Sequence, residues 1–465
     1  MRRLVAAVVI PGCLVATLAV LSRPTPAQPR KPRNLVLVSI DTLRADHLSL
    51  HGYRRETAPG VASLARQGAV FLKTFACSSV TLPSHMTMLT GLHPRTHDVL
   101  TNSGIGSPQL VTLAEVLRAA GFSTAGFVGS SVLSAGTGLS QGFQVYDDNM
   151  NAYYRRGAFR GVQVAPSWRL TSPFDRGVQV PAEDVLDRAL PWLRDSAKEP
   201  FFLFVHVYDL HGPYTPPPAY RRTFFTPGGD ELQRLRDLYD CEIHYADGQL
   251  QRLWRELRRR NLTDSTLIVV TGDHGEGLGD HDYLLHAMRV YDEELHVPLV
   301  MSGPGVPKKR SSDIVDLADI FPTVLELLGV TAPPNEGRSL VPLLERENAK
   351  LGRGFAYGQR FNSRTPLLSY LLDGRAEPAP TTLDFVRSHK AKLLLPESRV
   401  PVLFNLEADP GETRDVAAQN PELTEQYVRW ALRPLEKPLP TVTRVQRPLT
   451  PAERERLRAL GYLAE

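Results

Sequence analysis

A mostly parallel β-sheet covered on both faces by helices, followed by a smaller α+β unit, is the α/β fold this sequence predicts. Three observations predict it. Apolar runs of strand length alternate with amphipathic stretches of helical spacing from residue 34 to about residue 345. Two of those runs, Asn34–Ile40 and Thr266–Gly272, end directly in acidic residues, Asp41 and Asp273. Beyond about residue 345 the alternation gives way to short apolar runs and one helical stretch. A chain of 465 residues can bury a large core, as one α/β domain with appendages or as two to three domains.

The elements follow in order. Residues 1–27 have the parts of an export signal. Arg2 and Arg3 are charged, Leu4 to Leu21 is almost wholly apolar, and small and polar residues lead to Ala27. The apolar run also approaches the length of a membrane span, so the segment reads as a cleaved signal peptide or an N-terminal anchor. Cys13 lies inside the run, which argues against a lipid anchor there. Residues 28–33 are a proline-rich linker, and residues 34–345 form the main α/β domain. Within it, 110–120 has helical spacing through Leu113, Val116 and Leu117 and stops at Gly121; 122–128 reads as a strand. Residues 149–181, rich in Arg, Gly and Pro, read as a long loop. A helix over 183–193 precedes Phe201–Val207, apolar throughout and suited to a buried parallel strand. Leu232, Leu235, Tyr239, Ile243, Leu250, Leu253 and Leu257 mark a long amphipathic helix, with a break expected near Gly248. Strands over 266–270 and 298–301 and a helix over 316–328 complete the domain. Residues 346–465 form the C-terminal α+β subdomain, with strands over 391–395 and 402–406 and a helix over 421–435. No internal repeat is present.

Hydrophobic residues make up 42% and charged residues 22%, ordinary for a globular protein. The formal charge of +4 is local: with the six basic residues of positions 1–33 set aside, 48 basic face 50 acidic residues. A basic footprint for nucleic acid is missing. Beyond the leader only Cys77 and Cys241 remain, too few to staple a fold of this size; they read as small buried residues, although export permits a bridge.

Thr81 carries the most chemical information. It precedes Pro83, which suits a first helical turn, and Gly91 suits the end of the same helix. A hydroxyl at a helix N-terminus stands where backbone N–H groups and the helix dipole favour an anion. Open α/β sheets place ligands at the carboxyl ends of their strands, which is where Asp41, Asp273 and His274 fall. Two carboxylates, an imidazole and a hydroxyl suit a divalent cation: zinc takes nitrogen and oxygen, whereas calcium or magnesium wants more oxygens. Each residue has a plainer reading beside this one. Asp41 can cap a turn, Thr81 can be an ordinary N-cap, and Asp273-His274 can be a strand-to-loop turn. His206 reads as a core residue of its strand, and His93 and His97 read as structural. The run Arg255–Arg260 reads as a solvated complement to a helix C-terminus.

Five segments in order resemble the sulfatase-like branch of the alkaline phosphatase superfamily. They are Ser39 to Asp46; Thr81 to His85, continuing to Pro94; Val207 to Tyr214; Gly272 to His281; and Phe404 to Glu412. The resemblance spans nearly everything after residue 33. It implies an alkaline phosphatase-like sheet and a divalent cation (Zn, Ca, Mg or Mn) on Asp41, Asp273, His274 and Thr81. It also implies Thr81 as nucleophile and His211 at the substrate's anionic group or leaving oxygen. His85 would orient Thr81, meet the anion or simply line the helix. Asp209, His281 and His286 flank the site and would serve a second ion or the substrate.

The chain departs from a sulfatase at the centre. Those enzymes convert a Cys or Ser, followed by x-Pro-x-Arg, to formylglycine; here the run is Thr81-Leu82-Pro83-Ser84-His85. A threonine cannot give an aldehyde, and Cys77 lacks the proline. The lysine-tryptophan-histidine segment that clamps sulfate in many sulfatases is replaced by Val128-Gly129-Ser130. Thr-x-Pro-x-His instead resembles the nucleotide pyrophosphatase/phosphodiesterase branch, in which threonine itself attacks. The expectation is therefore an extracytoplasmic, metal-dependent hydrolase, periplasmic, secreted or anchored, with a phosphoester favoured. Its substrate would be a small anionic ester, a lipid headgroup or a glycan. Sulfate-ester hydrolysis without formylglycine, phospho-headgroup transfer and a degenerate anion binder are the alternatives.

Overall fold

The computed structural model of the protein describes residues 31–150, 180–347, 349–352, 354–361, 382–432 and 451. The expected leader 1–27 and most of the expected loop 149–181 lie outside the described residues, as does the start of the linker. No helix among the described residues is long and apolar enough to cross a membrane.

Eight strands form the main sheet: β1 (Asn34–Ile40), β2 (Ala69–Phe75), β3 (Ser123–Phe127), β4 (Val145–Asp147), β5 (Phe201–Val207), β6 (Thr266–Gly272), β7 (His296–Ser302) and β8 (Lys309–Asp316). Their order is β4-β3-β5-β1-β6-β7-β2-β8. All pairings are parallel except those of β7, which runs antiparallel to β6 and to β2. Strands β1, β5 and β6 are buried along their whole length, which is why they read as continuous apolar runs rather than as alternation. Helix α1 (Pro59–Gln67), helix α2 (Thr81–Thr90) and the long helix Glu231–Arg259 are among those covering the sheet.

The remaining described strands, β9 (Phe355–Phe361), β10 (Thr382–Ser388), β11 (Ala391–Pro396) and β12 (Val402–Asn405), make an antiparallel sheet in the order β12-β11-β10-β9. The helix Pro421–Ala431 packs on β10 and β11, so the C-terminal unit is α+β as expected. Its edge touches the main domain at a telling place. Gln359 N–H donates to the Cys77 carbonyl (2.9 Å), four residues before Thr81. A Cβ on Gly358 would stand 2.2 Å from that same oxygen, so only glycine lets β9 approach so closely.

Two expectations are corrected. The helix Glu231–Arg259 runs unbroken through Gly248 for 29 residues, because its apolar stripe stays in phase on both sides and packing outweighs one glycine. The strand expected over 298–301 extends to His296–Ser302 and is the antiparallel member of the sheet. Other boundaries shift by a few residues. The helix expected from 316, for example, begins at Ile320, after Asp316 caps a separate short turn, Leu317–Asp319.

Candidate active site

Three neighbouring strands deliver the site. In register, Ile40 of β1 lies opposite Val207 of β5 on one side and Gly272 of β6 on the other. Asp41, Tyr208 and Asp273, each one residue further on, therefore emerge side by side at the carboxyl edge of the sheet. Thr42 turns sharply there with φ 52°, a strained value for a β-branched residue. The turn directs the Thr42 N–H onto Asp273 Oδ1 (3.1 Å), and the Tyr239 hydroxyl secures it by donating to the Thr42 carbonyl (2.6 Å). Gly275 is required next: a Cβ there would meet the Glu293 carbonyl oxygen at 2.0 Å. Buried Arg44 ties the following loop down through the carbonyls of Glu276 and Gly277 and the Asp280 carboxylate.

Thr81 is the first residue of α2, whose ten residues are all buried. Val80, just before it, provides no side-chain cap. Thr81 Oγ1 lies 3.2 Å from His274 Nε2. Asp41, Asp273 and His274 each offer one ligand atom within 4.8 Å of the others, all buried. His85, one turn along α2, sends Nδ1 to the Thr81 carbonyl (2.8 Å) and lies 3.5 Å from Asp273 Oδ2. Ser84 Oγ donates to the Asp273 carbonyl, pinning α2 to β6.

The imidazoles form an arc around this centre. Ring centroids run from His85 to His206 (4.9 Å), and from His211 to His286 (4.9 Å) and on to His274 (4.5 Å). Tyr208 stacks on His211 at 4.5 Å. Each ring of a subset points Nδ1 at an acceptor: His274 at the Gly275 carbonyl (2.9 Å), His211 at the Gly212 carbonyl (2.8 Å), and His286 at Glu276 Oε1 (3.0 Å). With the proton thus assigned to Nδ1, Nε2 carries a lone pair in each. Asp41 Oδ1, Asp273 Oδ2, His85 Nε2 and His211 Nε2 are buried without a hydrogen-bond partner among the described residues.

The electrostatics follow from burial. Desolvation pushes the Asp41 carboxyl up to about 7, with nearby His274 only partly opposing it. Burial and the Asp41 charge raise Asp273 as well. Burial alone would depress His274, yet the Asp273 and Asp41 carboxylates hold it above its ordinary value. Burial takes His85 down to about 3, His206 to about 4 and His211 to about 3. Glu276 rises to about 7 for the same reason.

Such an array of acceptors, two carboxylates and several lone pairs, has too few protons to satisfy itself. A cation resolves that deficit, and oxygen and nitrogen donors at this spacing fit a divalent metal ion. Asp41, Asp273 and His274 would hold it, with Thr81 beside them. A donor is also present. Asn102 accepts the Leu82 N–H on Oδ1 (2.8 Å), which leaves its buried Nδ2 without a protein partner next to the start of α2.

Of the flanking residues expected here, the structure brings in only His286. Asp209 points its carboxylate at the Ala182 N–H (2.9 Å), the start of the helix Ala182–Pro191. His281 is committed at both nitrogens, to Glu293 Oε1 (2.6 Å) and the Glu412 carbonyl (3.3 Å), and stacks on Tyr291 at 3.8 Å. Local backbone and the C-terminal unit claim these two, which sequence order alone could not show. His206, read as a core residue, is fully buried in β5 but also lies 3.4 Å from Asp41 Oδ2. Glu276 and Asn102 were not anticipated. Glu276 follows the Asp-His pair by two residues, and that spacing was the one available signal.

Residues 33–330 match the family described as Sulfatase, and the chain belongs to that family. It is 25% identical over 472 residues to arylsulfatase K of Gallus gallus, with 89% of this chain and 84% of that protein covered. It is 24% identical over 482 residues to the multifunctional alkaline phosphatase superfamily protein PehA of Trinickia caryophylli, covering 83% of this chain and 91% of that protein. Among solved structures, the fold is similar to a phosphonate monoester hydrolase of Agrobacterium radiobacter, with a TM-score of 0.72 at 23% identity, covering 86% of this chain and 95% of that one. The protein is thus a sulfatase-family hydrolase of the alkaline phosphatase-like superfamily.

Proposed function

We propose that this hydrolase is extracytoplasmic and cleaves a small anionic ester, a phosphate or phosphonate ester in preference to a sulfate ester, with the Thr81 hydroxyl as attacking group. The observation that carries the reading is Thr81 Oγ1 at the start of a buried helix, 3.2 Å from His274 Nε2 and beside the Asp41–Asp273 pair. The leader sequence supports the location, and the names of relatives support both ester types. The Thr81 side chain supports the phosphorus esters. A formylglycine aldehyde can eject sulfate from its hydrate, but a threonine ester must be cleaved by water at the central atom, which phosphorus permits readily.

A divalent cation on Asp41, Asp273 and His274 would lower the hydroxyl pKa and offset charge on the ester oxygens. The chain's own groups do the rest. Thr81 Oγ1 forms the bond to phosphorus as the bond to the departing ester oxygen breaks, and the hydroxyl proton passes to solvent. The departing ester oxygen takes a proton from His211 Nε2, which the anionic substrate allows this ring to hold despite its burial. Water then attacks phosphorus and gives its proton to the emptied His211 Nε2. The bond between phosphorus and Thr81 Oγ1 then breaks, and the hydroxyl regains its proton from solvent. The Asn102 Nδ2 donor and the N-terminus of α2 hold the ester's non-bridging oxygens.

The test is to load the full chain with Zn²⁺, Mn²⁺, Ca²⁺ or Mg²⁺ and compare nitrophenyl phosphate, a phosphodiester, a phosphonate monoester and nitrophenyl sulfate. The phosphorus esters should turn over faster than the sulfate, and Thr81→Ala should remove that activity. A better rate on sulfate, or activity surviving in Thr81→Ala, rejects the reading.

A further inference from the structure

A second cluster of metal-ligating type lies apart from the ester site. Cys77, His93 and Asp316 each offer a ligand atom within 4.8 Å of the others, and all are buried. They bracket α2. Cys77 precedes it by four residues, His93 follows its αL cap Gly91 by two, and Asp316 ends β8. The sequence reading treated His93 as structural and Cys77 as a small buried residue, and nothing in the ester chemistry uses either.

We propose that Cys77, His93 and Asp316 form a separate metal site, for zinc or another borderline-soft divalent cation, that clasps the entry and exit of the nucleophile helix onto β8. Donor chemistry supports it. Thiolate, imidazole and carboxylate are zinc ligands, and tetrahedral bonds place such donors about 3.3–3.6 Å apart. His93 Nε2 and Asp316 Oδ2 already stand 3.3 Å apart. Cys77 Sγ lies within 4.8 Å of both.

The surroundings are built in the way metal-bound imidazoles are supported. Glu336 takes the His93 backbone N–H on Oε2 (2.6 Å) and faces His93 Nδ1 at 3.5 Å with the same oxygen. A carboxylate on the Nδ1 side leaves Nε2 to face Asp316 and Cys77. Asp316 is fixed in turn: its Oδ1 accepts from the Ala318 N–H (3.1 Å) and its backbone N–H donates to Asp319 Oδ2 (3.0 Å), leaving Oδ2 directed at the imidazole. Tyr357 from the C-terminal sheet covers one side of the His93 ring at 5.1 Å. Three protein ligands leave a fourth position for water. On binding, the cation replaces the Cys77 S–H proton, which passes to solvent.

Cobalt separates this site from the ester site, because sulfur is present in only one of them. The full chain is stripped with a chelator and titrated with Co²⁺, and metal content is measured after desalting. A thiolate-to-cobalt charge-transfer band in the near ultraviolet is expected in the unaltered chain, in Cys241→Ser and in Asp273→Asn. It should vanish in Cys77→Ser, with the loss of one of two bound equivalents. The unaltered chain carries the test even if Cys77→Ser folds poorly. No such band at saturating cobalt overturns the proposal and makes the trio a proton-sharing hydrogen-bond network. That result would leave the ester reading untouched, and activity surviving in Thr81→Ala with the band present would sink the ester reading alone.

Discussion

Asp41 is a buried carboxylate and Asp292 a half-buried one, and they are held in opposite states. Asp292 meets Lys392 Nζ at 3.0 Å and Arg387 Nη2 at 2.8 Å, and its backbone N–H donates to Glu412 Oε2 at 2.6 Å. Burial would raise its pKa, but those two cations hold it well below the ordinary carboxylate range. Among the described residues no lysine or arginine stands against Asp41; its neighbours are Asp273 and a ring of histidines, and it rises to about 7. The Asp292 cluster completes its own charges and fastens the C-terminal sheet to the main domain. The Asp41 cluster leaves its charges incomplete, which is what the proposed cation and anionic substrate would complete.

Substitutions sharpen this contrast. The largest expected effect is at Thr81: Thr81→Ala should lower turnover by about 10⁴-fold or more. Calorimetry should show the fold and metal content retained, and Thr81→Ser should keep part of the rate. Lys392→Met should break the complete cluster and cost about 3–5 kcal/mol of unfolding free energy, read by denaturant titration, without loss of metal. Asp273→Asn should do the reverse. It leaves the metal-free protein as stable or more so, by relieving the Asp41–Asp273 repulsion, while abolishing the rise in melting temperature given by added Mg²⁺ or Ca²⁺, hard cations that a thiolate site does not favour. Equal destabilisation by both substitutions would break the comparison.

His211→Asn should lower kcat/KM by about 10²–10³-fold for an alkyl ester, and far less for a nitrophenyl ester whose leaving group needs no proton. A uniform loss across leaving groups would instead assign His211 to binding. The smallest effect concerns pH. Because the cation-free Asp41 carboxyl holds its proton up to about 7, proton and cation compete there. Cation affinity should weaken by up to about tenfold per pH unit below 7 and level off above it. In stability terms, Asp41's raised value contributes most to the metal-free protein below about pH 4 and is lost as pH rises through 7. The melting-temperature increment from added cation should therefore grow between pH 5 and pH 8.

Much of the site could be read from the chain because each part announced itself locally. Asp41 and Asp273 end apolar strands, and Thr81 stands two residues before a proline that suits a first helical turn. Strands of a parallel sheet must deliver their ends to one edge, so the trio could be placed together before any coordinates. The flanking histidines and acids could not be sorted in this way. His286 and His281 lie five residues apart in one loop, but one turns to Glu276 in the pocket and the other to Glu293 and the C-terminal unit. Asp209 fits the motif by position, yet the N-terminus of a helix beginning at Ala182 claims it. Side-chain direction in loops is set by partners far away in sequence, and no periodicity encodes those.

By itself the sequence determined the alternating α/β order, the strand ends that carry the acids, and the threonine where a sulfatase has its modified cysteine or serine. Periodicity and local turn chemistry suffice for these, since each depends on neighbours within a few residues. Only the tertiary structure decided which histidines face the pocket, that β7 runs antiparallel, that β9 lies against the loop leading to Thr81, and that Cys77 meets His93 and Asp316. Those outcomes come from burial of groups brought together across tens to hundreds of residues, where desolvation and packing, rather than local preference, choose the partner.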